Sequence, residues 1–177
     1  IEIWERIKTL QGGQSEFPFS NITLQQFYGI EIDEYACDTA TLSLWLAEHQ
    51  MNNKFYERLG TRPDALPLRP SGHIVCGNAC RLDWNTVCPH TADEEVYVMG
   101  NPPYVGSSMQ DEGQKSDLTH VCGSFDSYKN LDYIACWFVI GAKYIKESNA
   151  KLAFVSTNSI CQGEQVAMLW NPIFAMG

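Results

Sequence analysis

Four short apolar runs, at 27–32, 73–76, 95–99 and 152–156, alternate along this chain with stretches whose apolar residues recur at helical spacing. That alternation narrows the fold sharply, because strands joined through helices pair in parallel and are covered by those helices. Phe27-Tyr28-Gly29-Ile30-Glu31-Ile32 reads as a buried strand. Asp33 is placed to cap a helix from about Glu34 to Met51, with Ala36, Ala40, Leu44, Ala47 and Met51 on one face. His73-Ile74-Val75-Cys76, Glu95 to Met99 and Leu152 to Ser156 give three further strands, and Leu131 to Ile145 and Glu164 to Phe174 two further helices. Ile1 to Leu10 fits the last turns of another helix, closed by Gly12-Gly13. Asn52 to Ser71, with three prolines, reads as a loop, and polar Gly106 to Tyr128 as a mobile one. The expected class is therefore α/β with a doubly wound parallel sheet, in which ligands gather beyond the carboxyl ends of the strands.

The most informative strand end is Asn101-Pro102-Pro103-Tyr104, which follows the 95–99 run through Gly100. An exocyclic amine or amide nitrogen is a poor nucleophile because its lone pair is delocalised into the ring or carbonyl. A site that methylates it must localise that pair, and hydrogen-bond acceptors do so. The Asn101 side-chain oxygen and the Pro102 carbonyl can each accept one N–H as positive charge develops on the nitrogen. Two prolines stiffen the loop and remove competing donors. Tyr104 offers a flat face for a base rotated out of its duplex.

Charge and cysteine usage limit the partners. A hydrophobic content of 45% over 177 residues supports a globular core, while a net charge of −9 excludes a surface that grips phosphates unaided. If DNA is the substrate, the basic surface that holds it lies mostly outside this segment. Seven cysteines without a CxxC pair suggest reduced thiols in a reducing cytoplasm. Cys76, Cys80, Cys88 and His90 lack the spacing of a zinc knuckle or ribbon, so no metal is expected. No apolar run is long enough to span a bilayer, and no basic stretch is followed by a cleavable apolar one.

The tetrapeptide in this context resembles the catalytic motif of class I S-adenosylmethionine-dependent amino-methyltransferases. The runs 27–33, 72–78 and 154–165 together with it resemble the modification domain of large bacterial enzymes that combine restriction and modification in one polypeptide. The resemblance implies a Rossmann-like methyltransferase sheet, S-adenosylmethionine as cofactor, and the exocyclic N6 of adenine in DNA as acceptor, since Asn at the first motif position is typical of adenine and Ser of cytosine amines. It implies catalytic roles for Asn101, Pro102, Pro103 and Tyr104. It assigns Glu31, with Ile32, to the donor's ribose hydroxyls, and Asn78, with Ala79, to the donor's adenine. Asn78 also reads as a plain turn residue, Asp33 as a helix cap, and Ser156 and Thr157 as either pocket lining or caps.

One departure matters. The Gly-rich turn that cradles the donor's methionine portion in this family is not found before Glu31. The expectation is a partial catalytic domain over 1–177, its sheet truncated at the N-terminal, central strand, inactive and weak in donor binding when isolated. Exposed strand edges then favour self-association. The same tetrapeptide also serves enzymes that methylate RNA guanine or protein glutamine, and a non-catalytic module of this fold is a further alternative. A carbon-methylating cytosine enzyme needs Pro-Cys, whereas Cys88-Pro89 runs in the reverse order. The four histidines form no HExxH pattern.

Overall fold

The computed structural model describes residues 6, 22–60 and 72–176. By its contacts the chain divides into two compact units, Ile1–Gly77 and Asn78–Gly177. Strands pair two by two, all in parallel, and each pair belongs to one unit. The α/β class with parallel strands is thus what the chain forms.

The first unit contains β1 (Tyr28–Glu31), α1 (Glu34–Leu59) and β2 (His73–Cys76). β1 and β2 pair from Tyr28 opposite His73 to Glu31 opposite Cys76. The Tyr28 and His73 rings stack at 4.6 Å. Gly72 leads into β2 with φ of 66°, and a Cβ there would come within 2.9 Å of the Phe27 carbonyl. Only glycine meets both conditions, and the next amide, His73 N–H, then bonds that same carbonyl at 2.8 Å. Asp33 caps α1 as expected, its carboxylate accepting from the Ala36 amide at 2.9 Å.

α1 does not stop near Met51. It continues through the first part of the expected loop to Leu59, because Phe55 and Leu59, one turn apart, are both buried. Gly60 then ends it in the left-handed conformation, with φ of 74°. Of the expected apolar face, Ala36, Ala40 and Leu44 are half-buried, whereas Ala47 and Met51 are exposed. The expected helix over 1–10 lies outside the described residues apart from helical Arg6, and so does the remainder of the expected loop, 61–71.

The second unit runs α2 (Trp84–Val87), β3 (Tyr97–Gly100), α3 (Glu112–Cys122), α4 (Ala135–Ile145), β4 (Lys151–Phe154) and α5 (Glu164–Ala175), with 3-10 turns at Ser107–Met109, Tyr128–Asn130 and Asn158–Cys161. β3 pairs with β4 from Tyr97 opposite Lys151 to Gly100 opposite Phe154. α3 corrects the expectation of a mobile loop over 106–128. Its start is fixed by a capping box in which Asp111 and Gln114 each accept from the other's amide, at 2.8 and 3.0 Å. Leu118, Val121 and Cys122, spaced three and four apart, are buried on its inner face. Leu118, Leu131, Ile134, Cys136, Val139, Ile160 and Leu169 form the core of this unit. Burying each such aliphatic side chain contributes roughly 1.5–3 kcal/mol before entropy is counted.

All seven cysteines are free thiols, with Cys80, Cys122 and Cys136 buried. Among the described residues no group of three or more His, Cys, Asp or Glu is arranged to hold a metal. No described helix is long and apolar enough to cross a membrane.

Candidate catalytic loop and donor-binding strand ends

The loop after β3 is anchored at its two ends. At its start the Gly100 carbonyl accepts from the Val155 amide at 3.0 Å, which extends the β3–β4 pairing by one bond. At its end the Val105 carbonyl accepts from the Tyr133 amide at 2.8 Å and from Gln110 Nε2 at 3.3 Å. Gln110 is itself buried and also donates to the Leu131 carbonyl at 2.9 Å. Between these anchors Pro102 is buried while Asn101, Pro103 and Tyr104 are exposed. Among the described residues no hydrogen bond engages the Asn101 amide or the Pro102 carbonyl. The prolines fix the φ angles of the backbone that carries these two oxygen acceptors.

Residues 131–133 brace the far end of that loop. Asp132, buried between loop and helix, accepts from Ser159 Oγ at 2.5 Å and from Gln165 Nε2 at 3.1 Å. The Gln165 oxygen in turn accepts from the Asp132 amide at 3.3 Å. The hydroxyls expected either to line a pocket or to cap are held locally: Ser156 Oγ donates to the Thr157 carbonyl at 3.1 Å, and Thr157 Oγ1 shares a bond with Ser159 Oγ at 2.7 Å.

Glu31 closes β1. Its Oε1 accepts from the Ile32 amide at 2.9 Å, which fixes the carboxylate and leaves Oε2 without a partner among the described residues. Ile32 is exposed beside it. Two thiols support this strand end from below, Cys37 donating to the Glu31 carbonyl at 3.5 Å and Cys76 to the Ile32 carbonyl at 3.8 Å. Desolvation, followed by the neighbouring Cys76, pushes the Cys37 thiol up to about 11, so it stays protonated.

Asn78 opens the second unit, and its amide is engaged at both ends. Oδ1 accepts from the Cys80 amide at 2.8 Å, the two-residue pattern of an Asx turn, and Nδ2 donates to Asp117 Oδ2 at 2.8 Å. The turn role foreseen for Asn78 is thus present, and its oxygen retains one lone pair. The neighbouring Ala79 carbonyl accepts from the Trp84 indole at 3.0 Å. Asp117, only 5% exposed, also accepts from Arg81 Nε at 2.6 Å and from the Tyr133 hydroxyl at 2.8 Å. Burial alone would raise its carboxyl, but bonds from Asn78, Tyr133 and Arg81, with the Arg81 charge, hold it below the ordinary carboxylate value. Burial and that same bond to Asp117 push the Tyr133 phenol far upward, so it remains a donor. Asp117, Tyr133, Asp132 and Gln110 escape sequence reasoning, since their partners lie as far as 39 positions away and no local pattern marks them.

The chain as a whole is similar to known proteins. Residues 1–177 match the family model described as MmeI, DNA-methyltransferase domain. The chain is 51% identical over 179 residues to DNA methyltransferase A of Bacillus subtilis (strain 168), a match that covers all of this chain and 20% of that protein. It also resembles the solved structure of the type IIL restriction-modification enzyme MmeI in complex with DNA, with a TM-score of 0.83 and 40% identity, over 98% of this chain and 24% of that one. The chain thus spans no more than a quarter of the length of either protein.

Proposed function

The chain belongs to the MmeI DNA-methyltransferase domain family, and from that premise we propose that it carries the catalytic loop of a restriction-modification enzyme that transfers a methyl group from S-adenosylmethionine to the exocyclic N6 amine of adenine in DNA. The observation that carries the proposal is the anchored loop whose two acceptors, Asn101 Oδ1 and Pro102 O, are engaged by no other described group. The Rossmann-like, doubly wound sheet belongs to this reading as the arrangement of the complete catalytic domain, of which 1–177 is a part. DNA contact is assigned mainly to the rest of the polypeptide, because a net charge of −9 leaves this chain poorly suited to hold phosphates.

In this mechanism the two oxygens each accept one N–H of the target amine and draw its nitrogen toward tetrahedral geometry, which returns the lone pair to the nitrogen. The acceptors are fixed before the reaction, so they stabilise the developing positive charge without reorganising. Tyr104, 45% exposed at the loop's end, gives an extruded adenine a face to stack on. Neither an amide oxygen nor a carbonyl is a base at neutral pH, and the surplus proton leaves to water. The donor, when bound, supplies a methyl group on a sulfonium and thus an electrophilic carbon. Of the residues in the unit that carries the loop, Asn78 fits it, because the spare lone pair of its Oδ1 suits an aromatic amine; Glu31, taken by itself, keeps an Oε2 without a partner among the described residues, beside an oxygen fixed by the Ile32 amide, a pattern that suits a vicinal diol.

The test is label transfer by the complete polypeptide from methyl-tritiated S-adenosylmethionine to DNA, to RNA and to a glutamine-containing release factor, followed by digestion of the product. Label on N6-methyladenine from DNA is the expected result. Label on N4-methylcytosine, on RNA or on protein contradicts the proposal.

A further inference from the structure

The Asn78 turn and the catalytic loop are joined through two residues, Tyr133 and Asp117. The Tyr133 amide holds the Val105 carbonyl, the residue after Tyr104, while the Tyr133 hydroxyl reaches Asp117, which holds Asn78. All of these residues lie in the second unit. Tyr133 is 6% and Asp117 5% exposed, so water competes little for these bonds. The Tyr133 ring is further fixed by the edge of Trp137 at 5.1 Å, and Asp117 sits within a helix that packs against α4.

We propose that Tyr133 and Asp117 form a strut that positions Asn78 for the donor's adenine relative to the catalytic loop, both acting as positioning residues of the methyl-transfer site. The inference rests on the donor-binding role proposed for Asn78. Asn78 lies in a turn, where its side chain could adopt other rotamers. The Asp117 carboxylate fixes the orientation of its amide by taking Nδ2, and so leaves the oxygen directed to the Cys80 amide on one lone pair and open on the other. Arg81, whose guanidinium also reaches Ser116 Oγ at 2.8 Å, neutralises the carboxylate from the solvent side. The phenol approaches Asp117 from the buried side. Asp117 is therefore held in one place by two donors and presents itself to the third.

The strut divides donor binding from chemistry. Tyr133→Phe keeps the ring and the amide bond to Val105, so the loop's anchor survives, but it removes the donor to Asp117. In the complete polypeptide, with S-adenosylhomocysteine as the calorimetric probe, Tyr133→Phe is expected to weaken binding about tenfold, the scale of one lost bond to a charged group. KM for S-adenosylmethionine should rise in step while kcat at saturating donor changes by less than about threefold. Asn78→Ala should weaken the probe at least as much, and the Tyr133→Phe/Asn78→Ala double variant no more than Asn78→Ala alone, because both act through one contact.

The outcomes are separable. Unchanged probe affinity in Tyr133→Phe, with loss in Asn78→Ala, overturns the strut and leaves the donor role of Asn78 standing. Unchanged affinity in Asn78→Ala overturns that role and the strut together. Fully additive losses overturn the strut as well. If Asp117→Asn fails to fold, Tyr133→Phe still decides the matter.

Discussion

Among the described residues of the unit ending at Gly77, the buried apolar side chains are Phe55 and Leu59, whereas the unit from Asn78 onward buries fourteen. The contrast does not come from composition. α1 carries Tyr35, Leu42, Trp45, Leu46, Met51 and Tyr56, all with large exposed surface. A helix that is apolar on several faces is one that larger proteins enclose. The second unit has the larger buried core, and it is this unit that carries the proposed catalytic loop. A constellation that must hold its geometry is better served by the unit with more fixed rotamers beneath it.

Substitutions on the two sides of this contrast should differ in size. Ile134→Ala and Leu169→Ala, both fully buried in the second unit, should each lower unfolding free energy by about 2–5 kcal/mol in urea titrations. Losses below about 1 kcal/mol would mean that this core is not closed. Cap removal comes next: Asp111→Ala at the start of α3 should cost roughly 0.5–2 kcal/mol, visible as a fall in Tm, since it removes the carboxylate that accepts from the Gln114 amide.

A pH experiment sharpens the same contrast. Asp117 is held below its ordinary value of 3.8 in the folded protein, so its contribution is present above that pH and fades as pH falls through the lowered folded value. The stability gap between the parent and Asp117→Asn should accordingly be widest above about pH 4 and shrink on acidification. A gap that is flat or widens toward low pH contradicts the sign. The smallest effect belongs to the first unit: Leu46→Ser on the exposed flank of α1 should change stability by no more than about 0.5 kcal/mol, and a loss of 2 kcal/mol or more would show that this flank is covered after all.

Much of this arrangement is legible in the residues. The strand over 73–76, the Asp33 cap and the position of the Asn101–Tyr104 loop after a strand follow from local chemistry alone, because β-branched runs, a capping carboxylate and a double proline each act over a few residues. α3 is not read from composition, since Gly113 and a polar run obscure the spacing of Leu118, Val121 and Cys122. The Asp111-x-x-Gln114 box was the usable signal. α4 begins at Ala135 and not at Leu131 because Leu131, Asp132 and Tyr133 spend their backbone and side-chain groups on Gln110, Gln165, Ser159 and Val105. Those bonds join segments far apart in sequence, and no local period can announce them.

The central claim is that Asn101 and Pro102 present two uncommitted oxygens to one planar amine. The direct measurement compares single-turnover methyl transfer, S-adenosylhomocysteine affinity and Tm for the complete polypeptide and its Asn101→Ala variant. Transfer should fall by about 10²–10³-fold, the scale for removing one preorganised polar group at the reacting centre, while affinity and Tm stay unchanged. Transfer that persists within about threefold of the parent, with folding intact, would contradict the account.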